Sequence, residues 1–157
     1  MGTGHAPAES RTPAAEKPNF CGSAKIAVAL AATAMPFAST NCEEAERWLR
    51  ILRVNGAVGN AMQALGLPEE PFEACPPLEE DGPTQAGSVD AVIAAAVDEL
   101  HERRGEAITT EDLFVGVRHV YGPAFERVLA ARGTTSSEVL ELVERRAAST
   151  TGTRQFQ

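Results

Sequence analysis

The sequence predicts an all-α fold made of two pseudo-symmetric repeats of short helices, seven or eight in total. Alanine is abundant and aromatic residues make up only 5% of the chain, which favours closely packed helices over a sheet. Apolar residues recur at helical spacing in short segments that end at Gly or Pro. Matched residues in the two halves are also separated by a constant number of positions. With 157 residues, the chain has room for one domain with a modest core.

Three helices are predicted in the first half. The first begins after Ser23 as N-cap and continues to about Met35, where a proline follows. Its apolar residues cover most of its circumference, which predicts a central place in the core. The other two span 43–53 and 57–65, and the last ends before Gly66, a favourable residue after a helix C-terminus.

Four helices are predicted in the second half. We take Thr110 as the N-cap of the second and expect the fourth to be capped by Ser136 or Ser137. The first three of these helices span 88–104, 111–120 and 122–132.

Composition sets the domain boundaries, because segments rich in Gly, Pro, Ser and Thr without apolar periodicity do not form a packed core. The predicted organisation is a disordered tail over 1–19, a tandem-repeat helical domain over 20–147 and a second disordered tail over 148–157. Within the domain, repeat one covers 20–75, a linker covers 76–87 and repeat two covers 88–147.

Positions on the apolar stripes predict the core. The predicted core residues are Val28, Leu30, Trp48, Leu49, Leu52, Leu65, Val92, Ala96, Leu113, Val117 and Leu129.

The repeat rests on constant spacing between matched residues. Ala31 and Ala96 are 65 residues apart, and so are Glu46 and Glu111. After a two-residue insertion near 119–122, the segment that ends at Gly66 matches the one that ends at Gly133. Chance similarity between alanine-rich helices would not readily reproduce order, spacing and both glycines, so we favour a duplication.

The net charge of −8 limits the class of partner. An acidic surface repels phosphate backbones and anionic lipids, which makes nucleic acid and membrane poor partners. It would attract cationic peptides, although acidity that serves only solubility explains the composition equally well.

Three cysteines, Cys21, Cys42 and Cys75, form an odd set without CxxC spacing. They predict neither a disulfide framework nor a zinc site, and they favour a reducing cytoplasm. The three histidines are scattered, so no metal or other cofactor is expected.

The apolar stretch 25–39 resembles the core and cleavage site of a secretion signal. It begins far from the first residue, its N-terminal flank contains acidic residues, and it is too short to span a bilayer. We therefore prefer a buried helix, which fits the cytoplasmic prediction.

No motif indicates catalysis. The chain contains no GxSxG segment for a nucleophilic serine and no GxxxxGK[ST] loop to bind a triphosphate. Glu43, Glu44 and Glu46 could serve as acid–base groups. Acidic residues at a helix start, however, more often only compensate the helix dipole. The sequence therefore predicts a protein that is not an enzyme and has no catalytic residues.

One family resembles both halves in order. The run from Ile108 to Val117, then Ala124–Leu129 and Gly133, resembles the Clp N-terminal repeat with its Ile-Gly-Thr-Glu-His-Leu-Leu segment. The first half is similar more weakly, through Phe20, Leu30-Ala31, Glu46–Leu49 and Leu65-Gly66. It departs at 41–45, so its second helix should begin earlier, and its fourth helix is reduced to a Pro-interrupted stretch before Cys75.

The resemblance to the N domains of ClpA- and ClpC-type unfoldases implies a binding site. In ClpC-type relatives, the glutamate of each Thr-Glu-His run helps to bind phosphorylated arginine. Glu111 with Thr110 matches that run closely, and Glu46 matches it in part. The alternative is that both glutamates only stabilise their helices. Phe20 occupies a position that binds cyclic-peptide antibiotics in relatives, whereas Gln85 stands at the repeat-two position.

These inferences predict a non-catalytic peptide-binding module, an accessory or adaptor of a Clp protease system without ATPase modules of its own. The expected partners are a Clp unfoldase, its adaptors or tagged substrate peptides. The alternative function is a decoy or resistance protein that sequesters a cyclic peptide or other small molecule aimed at Clp.

Overall fold

The computed structural model describes residues 18–54, 56–67 and 88–155, and these form seven α-helices, one 3-10 helix (Met35–Phe37) and no β-strand. The all-α prediction is confirmed for this part of the chain. The predicted linker 76–87, most of the predicted tail 1–19 and Gln85 lie outside the described residues. The helices are α1 (Gly22–Ala34), α2 (Asn41–Val54), α3 (Gly56–Ala64), α4 (Ser88–Glu102), α5 (Thr110–Tyr121), α6 (Pro123–Ala131) and α7 (Ser136–Gln155).

The first two helices begin earlier than predicted. The N-cap of α1 is Cys21, not Ser23. In α2 the Thr40 hydroxyl accepts a hydrogen bond from the Glu43 N–H (3.1 Å), and the Glu43 carboxylate accepts one from the Ser39 N–H (2.9 Å). This reciprocal capping satisfies N–H groups at the helix start. Helix α2 thus begins at Asn41, two residues before the predicted start at Glu43.

The N-cap of α5 is Thr109, so the assignment of Thr110 was wrong. The Thr109 hydroxyl accepts a hydrogen bond from the Asp112 N–H, and the Asp112 carboxylate accepts one from the Thr109 N–H (2.9 Å). Two adjacent threonines left the choice open, and the acidic residue three positions after Thr109 decides it. The side chain of Thr110 instead points into the core, where the residue is 3% exposed.

Helix α7 continues through the segment that composition assigned to a disordered tail. It is capped by Thr135, whose hydroxyl accepts from the Glu138 N–H (3.1 Å), and it extends to Gln155. Once the helix is started and packs on α3, each further residue adds a backbone hydrogen bond without a new nucleation cost. Weak local propensity therefore does not end it at Ala148.

Helices α3 and α6 end in the same way, as the glycines predicted. Gly66 and Gly133 each have φ of +84°, a conformation that glycine adopts without steric cost. The next residue then donates its N–H to a carbonyl five positions earlier, from Leu67 to Met62 and from Thr134 to Leu129, both at 3.1 Å. These are the hydrogen bonds of a Schellman C-cap.

The core lies around α2 and α5. Helix α2 packs on α1, α3, α5 and α6, and α5 packs on α1, α2, α3, α4 and α6. Most of the predicted core is buried: Trp48, Leu49, Leu52, Val92, Ala96, Leu113, Val117 and Leu129. Val28 is half-buried against this core. Leu30 (41% exposed) and Leu65 (39% exposed) were wrongly assigned to it.

The apolar stretch near the start forms α1, whose buried face consists of Ala24, Ala27 and Ala31. Small side chains on that face let α1 approach α2 and α5 closely, which leaves the larger Leu30 on the outer side. Within the described ranges, no helix has the length and apolar character needed to cross a membrane.

Cys42 is disulfide-bonded and Cys21 is free, while Cys75 lies outside the described residues. The sequence predicted no disulfide framework and did not identify this bond, because sequence spacing does not determine which cysteines approach each other.

Candidate functional site

A pocket of about 350 Å³ lies beside the first turn of α5, and Glu111 is its carboxylate. The other walls come from two helices that are distant in sequence. Helix α3 contributes Ala57 and Asn60, and α7 contributes Val143, Arg146 and Ala147. The pocket thus combines one carboxylate, one guanidinium, an amide and apolar side chains, which together suit a ligand with both polar and apolar parts.

The environment of Glu111 disfavours its negative charge. Burial raises the pKa of the Glu111 carboxyl, and the nearby carboxylates of Asp112 and Glu144 raise it further. The positive charge of Arg103 acts in the opposite direction but does not offset these effects. Because an opposite charge close to a carboxylate lowers its pKa, the raised value means that cations in the fold compensate Glu111 incompletely.

The negative charge of Asp112, the next residue, is compensated within the fold. Arg103 donates to both carboxylate oxygens, from Nε at 2.9 Å and from Nη2 at 2.6 Å. Burial alone would raise the pKa of Asp112, but hydrogen bonds from Arg103 and Thr109 outweigh it and lower the pKa. This two-point contact joins the end of α4 to the start of α5. It therefore holds the backbone on which Glu111 is placed.

Thr110 does not line the pocket; its side chain packs against the start of α3. A Cβ atom at Gly56 would lie 2.7 Å from the Thr110 hydroxyl oxygen, and Gly56 has φ of +87°. Only glycine allows α3 to begin so close to α5 in this conformation. Thr110 therefore sets the distance between α5 and the helix that carries Ala57 and Asn60.

Glu46, predicted as a weaker counterpart of Glu111, forms an ion pair within the fold. Arg132 Nη2 lies 3.1 Å from Glu46 Oε2, and the side chains are 2% and 12% exposed, respectively. Arg132 also donates to the Val128 carbonyl (3.2 Å). The pair ties α2 to the end of α6. Glu46 does not line the Glu111 pocket.

Phe20 lies at the edge of the core, where its backbone joins the segment before α5. Cys21 donates its N–H to the Ile108 carbonyl, and Ile108 donates to the Asn19 carbonyl, both at 2.9 Å. The ring is half-buried against the core. Phe20 thus anchors the segment before α1 next to the start of α5.

A buried polar contact joins the start of α2 to the end of α5. The Tyr121 hydroxyl donates to Glu44 Oε1 at 2.6 Å, and Glu44 is 2% exposed. Burial raises the pKa of Tyr121, and the hydrogen bond to Glu44 raises it further. The phenol therefore stays protonated and acts as the donor to this buried carboxylate.

The sequence predicted Glu111 but missed the residues that complete its pocket. Asn60 and Arg146 lie 51 residues before and 35 residues after Glu111, and no local motif links them to it. The sequence did contain one local signal that was missed. The Thr109–Asp112 capping pair identifies Thr109 as the N-cap and so leaves Thr110 inside the helix, on its buried side.

In the described part of the chain, no group of three or more His, Cys, Asp or Glu side chains could hold a metal ion. The sequence matches no protein-family model and no curated protein.

Proposed function

We propose that this protein is a non-catalytic peptide-binding module whose Glu111 pocket receives an arginine or phosphoarginine side chain. The observation that carries the proposal is the raised pKa of Glu111 in an open pocket. A bound guanidinium would supply the missing positive charge and so recover part of the desolvation cost of this carboxylate. Its planar donors also match a carboxylate in two-point geometry, which favours arginine over lysine.

Arg146 extends the proposal to phosphoarginine. It lines the same pocket as Glu111, so an anionic group attached to the guanidinium would find a cation within the site. The apolar walls, Val143 and Ala147, would contact the aliphatic part of the ligand side chain. The combination of one carboxylate and one guanidinium fits a ligand with the opposite pair of charges.

The two-repeat architecture belongs to the same proposal. Ala31 and Ala96 are both fully buried, as are the pairs Leu49/Phe114 and Leu52/Val117 at the same 65-residue spacing, with at most 2% exposure. The matched C-caps of α3 and α6 support it too. The contacts between halves are reciprocal, since α2 packs on α6 and α3 packs on α5. A duplicated unit accounts for all of these features.

Membership of a Clp protease system is proposed from the sequence resemblance. The partners would be a Clp unfoldase, its adaptors or substrate peptides that carry the phosphoarginine mark. Phe20, on which the decoy function depended, is half-buried and bridged to Ile108, so we prefer peptide binding.

Calorimetric titration tests the pocket with three peptides that differ at one central residue: arginine, phosphoarginine or citrulline. We expect binding of the first two and much weaker binding of the neutral citrulline peptide. Glu111→Gln should weaken binding by roughly 1.5–3 kcal/mol, the range for a hydrogen bond to a charged group. Arg146→Gln should affect the phosphoarginine peptide more than the arginine peptide.

A matched control is Glu141→Gln, which removes an exposed carboxylate from α7 outside the pocket and should leave affinity unchanged. Binding should also release protons near the pKa of Glu111, because a bound cation lowers that pKa. Equal affinity of the arginine and citrulline peptides, or an equal effect of the two glutamate variants, would refute the proposal.

A further inference from the structure

A second concave surface lies between α1 and α2, away from the Glu111 pocket. This groove has a volume of about 410 Å³. Helix α1 contributes Leu30 and Ala34, and α2 contributes Arg47, Arg50, Ile51 and Val54. The α2 residues are spaced i, i+3, i+4 and i+7, so they occupy one face of the helix. The two helices thus form the walls of an elongated cleft.

The groove exposes large apolar side chains. Val54 is 55% exposed and Leu30 is 41% exposed, and Ile26, one turn before Leu30 on α1, is 50% exposed. Three of the five large apolar residues that the described chain exposes therefore lie in or next to one groove. Contiguous exposed apolar surface with a polar rim is typical of interaction sites.

The charge of the groove is opposite to that of the chain. None of the described residues that line it is acidic, and two are arginines, although the net charge is −8. Arg50 is exposed and Arg47 donates to the Ala34 carbonyl at 2.5 Å. Neither forms an ion pair with a described carboxylate. Both charges are therefore available to a ligand.

We propose that the α1–α2 groove is a docking site for an acidic amphipathic segment of a partner protein. Leucine-like side chains of the segment lie between Leu30, Ile51 and Val54, and its carboxylates pair with Arg47 and Arg50 on the rim. An amphipathic helix laid in a groove presents its anchors at i, i+3 or i+4 and i+7, which matches the spacing along α2. This site is independent of the Glu111 pocket and selects the opposite charge.

The proposed surface gives the module two binding sites of opposite preference. The Glu111 pocket is suited to a cationic side chain, and the groove is suited to an acidic segment. Such a chain could hold a marked peptide while it is docked on a second protein. Failure of one site in experiment leaves the other intact, because they share no lining residue.

The test uses a labelled amphipathic peptide with leucines at i, i+4 and i+7 and glutamates on both sides of that stripe. A second peptide replaces every glutamate with lysine, and a third scrambles the first. Fluorescence anisotropy with the full chain should show saturable binding of the glutamate peptide alone. Methyl NMR shifts of Leu30, Ile51 and Val54 should move on its addition.

Arg50→Glu should weaken binding about 5- to 10-fold, because it removes one exposed ion pair and adds a repulsion. Leu30→Ser should weaken it by a similar factor. Arg145→Glu, an exposed arginine on α7, and Phe37→Ser, an exposed residue outside the groove lining, are the matched controls. Both should retain the affinity of the unmodified chain. Circular dichroism melting checks that each variant is folded.

Several results would overturn the proposal. Equal binding of the glutamate and lysine peptides would show that charge does not select the ligand, and absence of saturable binding would leave the groove without its proposed occupant. Arg50-dependent binding to vesicles of phosphatidylcholine and phosphatidylglycerol, without peptide binding, would assign the groove to lipid. Concentration-dependent methyl shifts of the protein alone, lost in Arg50→Glu, would assign it to a second copy of this chain.

Discussion

Glu46 and Glu111 are 65 residues apart and would occupy corresponding positions in the proposed repeat, but their surroundings differ. Glu46 contacts Arg132, a guanidinium that is almost completely buried, and the pair joins α2 to α6. Glu111 lies in an open pocket, where burial and three neighbouring carboxylates raise its pKa. One carboxylate is thus part of the framework, and the other is available for a ligand.

The difference arises from residues outside both helices. Arg132, the partner of Glu46, comes from the end of α6. Near the start of α5, by contrast, Arg103 already donates two hydrogen bonds to Asp112. The charge of Arg103 therefore compensates Glu111 only in part, and the pKa of Glu111 stays raised. Two positions that match in sequence therefore take different roles according to where the arginines lie.

The same substitution at both positions tests this comparison most strongly. Glu46→Gln should destabilise the fold by about 2–4 kcal/mol, between the values for a charged hydrogen bond and a fully buried ion pair. The cause is the loss of a carboxylate partner from the Arg132 guanidinium, whose side chain is 2% exposed. Urea unfolding measures it, and the double variant Glu46→Gln/Arg132→Met should recover part of the loss. An unchanged midpoint in Glu46→Gln would mean that the pair contributes nothing to stability.

Tyr121→Phe tests the other buried carboxylate of α2. Glu44 would lose its hydrogen-bond donor while it remains buried, which should cost about 1–3 kcal/mol. The ring still fills the same space, so the loss reports the hydrogen bond and not a cavity. Val120→Ala is a suitable packing control, since that residue is only half-buried. A midpoint equal to that of the unmodified protein would contradict a polar contact between the halves.

Asp112→Ala should cost about 1–2 kcal/mol, because it removes the capping pair with Thr109 and the contact with Arg103. The pKa of Asp112 is lowered in the fold, so its stabilisation is present above the ordinary carboxyl pKa and is lost as pH falls through the lowered value. The difference between variant and unmodified protein should therefore shrink in acid. A stability difference between Asp112→Ala and the unmodified protein that grows as the pH falls would contradict this prediction.

Glu111→Gln should have the smallest effect on stability, within about 0.5 kcal/mol of the unmodified protein. Because the pKa of Glu111 is raised in the fold, ionisation opposes folding. The variant should be slightly more stable at neutral pH, and this advantage should disappear as pH falls and the carboxyl protonates. A loss of stability at neutral pH would show that Glu111 is structural, like Glu46.

Local features of the sequence determined the helices and most of the core. Apolar spacing predicted all seven helices, and terminal glycines predicted the ends of α3 and α6. Helix starts were predicted less accurately because several hydroxyl side chains stand next to one another. At α5 the cap is Thr109 and not Thr110, since only Thr109 has an acidic residue three positions later.

Other features depended on which segments meet in three dimensions. Leu30 lies on the outer face because three alanines bring the opposite face of α1 against the core. Cys42 is disulfide-bonded although its spacing fits no motif.

Contacts between distant segments also decided the candidate sites. Sequence spacing alone matched Glu46 with Glu111. Their electrostatic surroundings depend on Arg132 for Glu46 and on Arg103 and Glu144 for Glu111, which come from three other parts of the chain. Helical structure is governed by interactions a few residues apart, whereas the energy of a carboxylate depends on every charge within several ångströms. The sequence therefore determined the helices, and the tertiary structure decided which glutamate is free to bind.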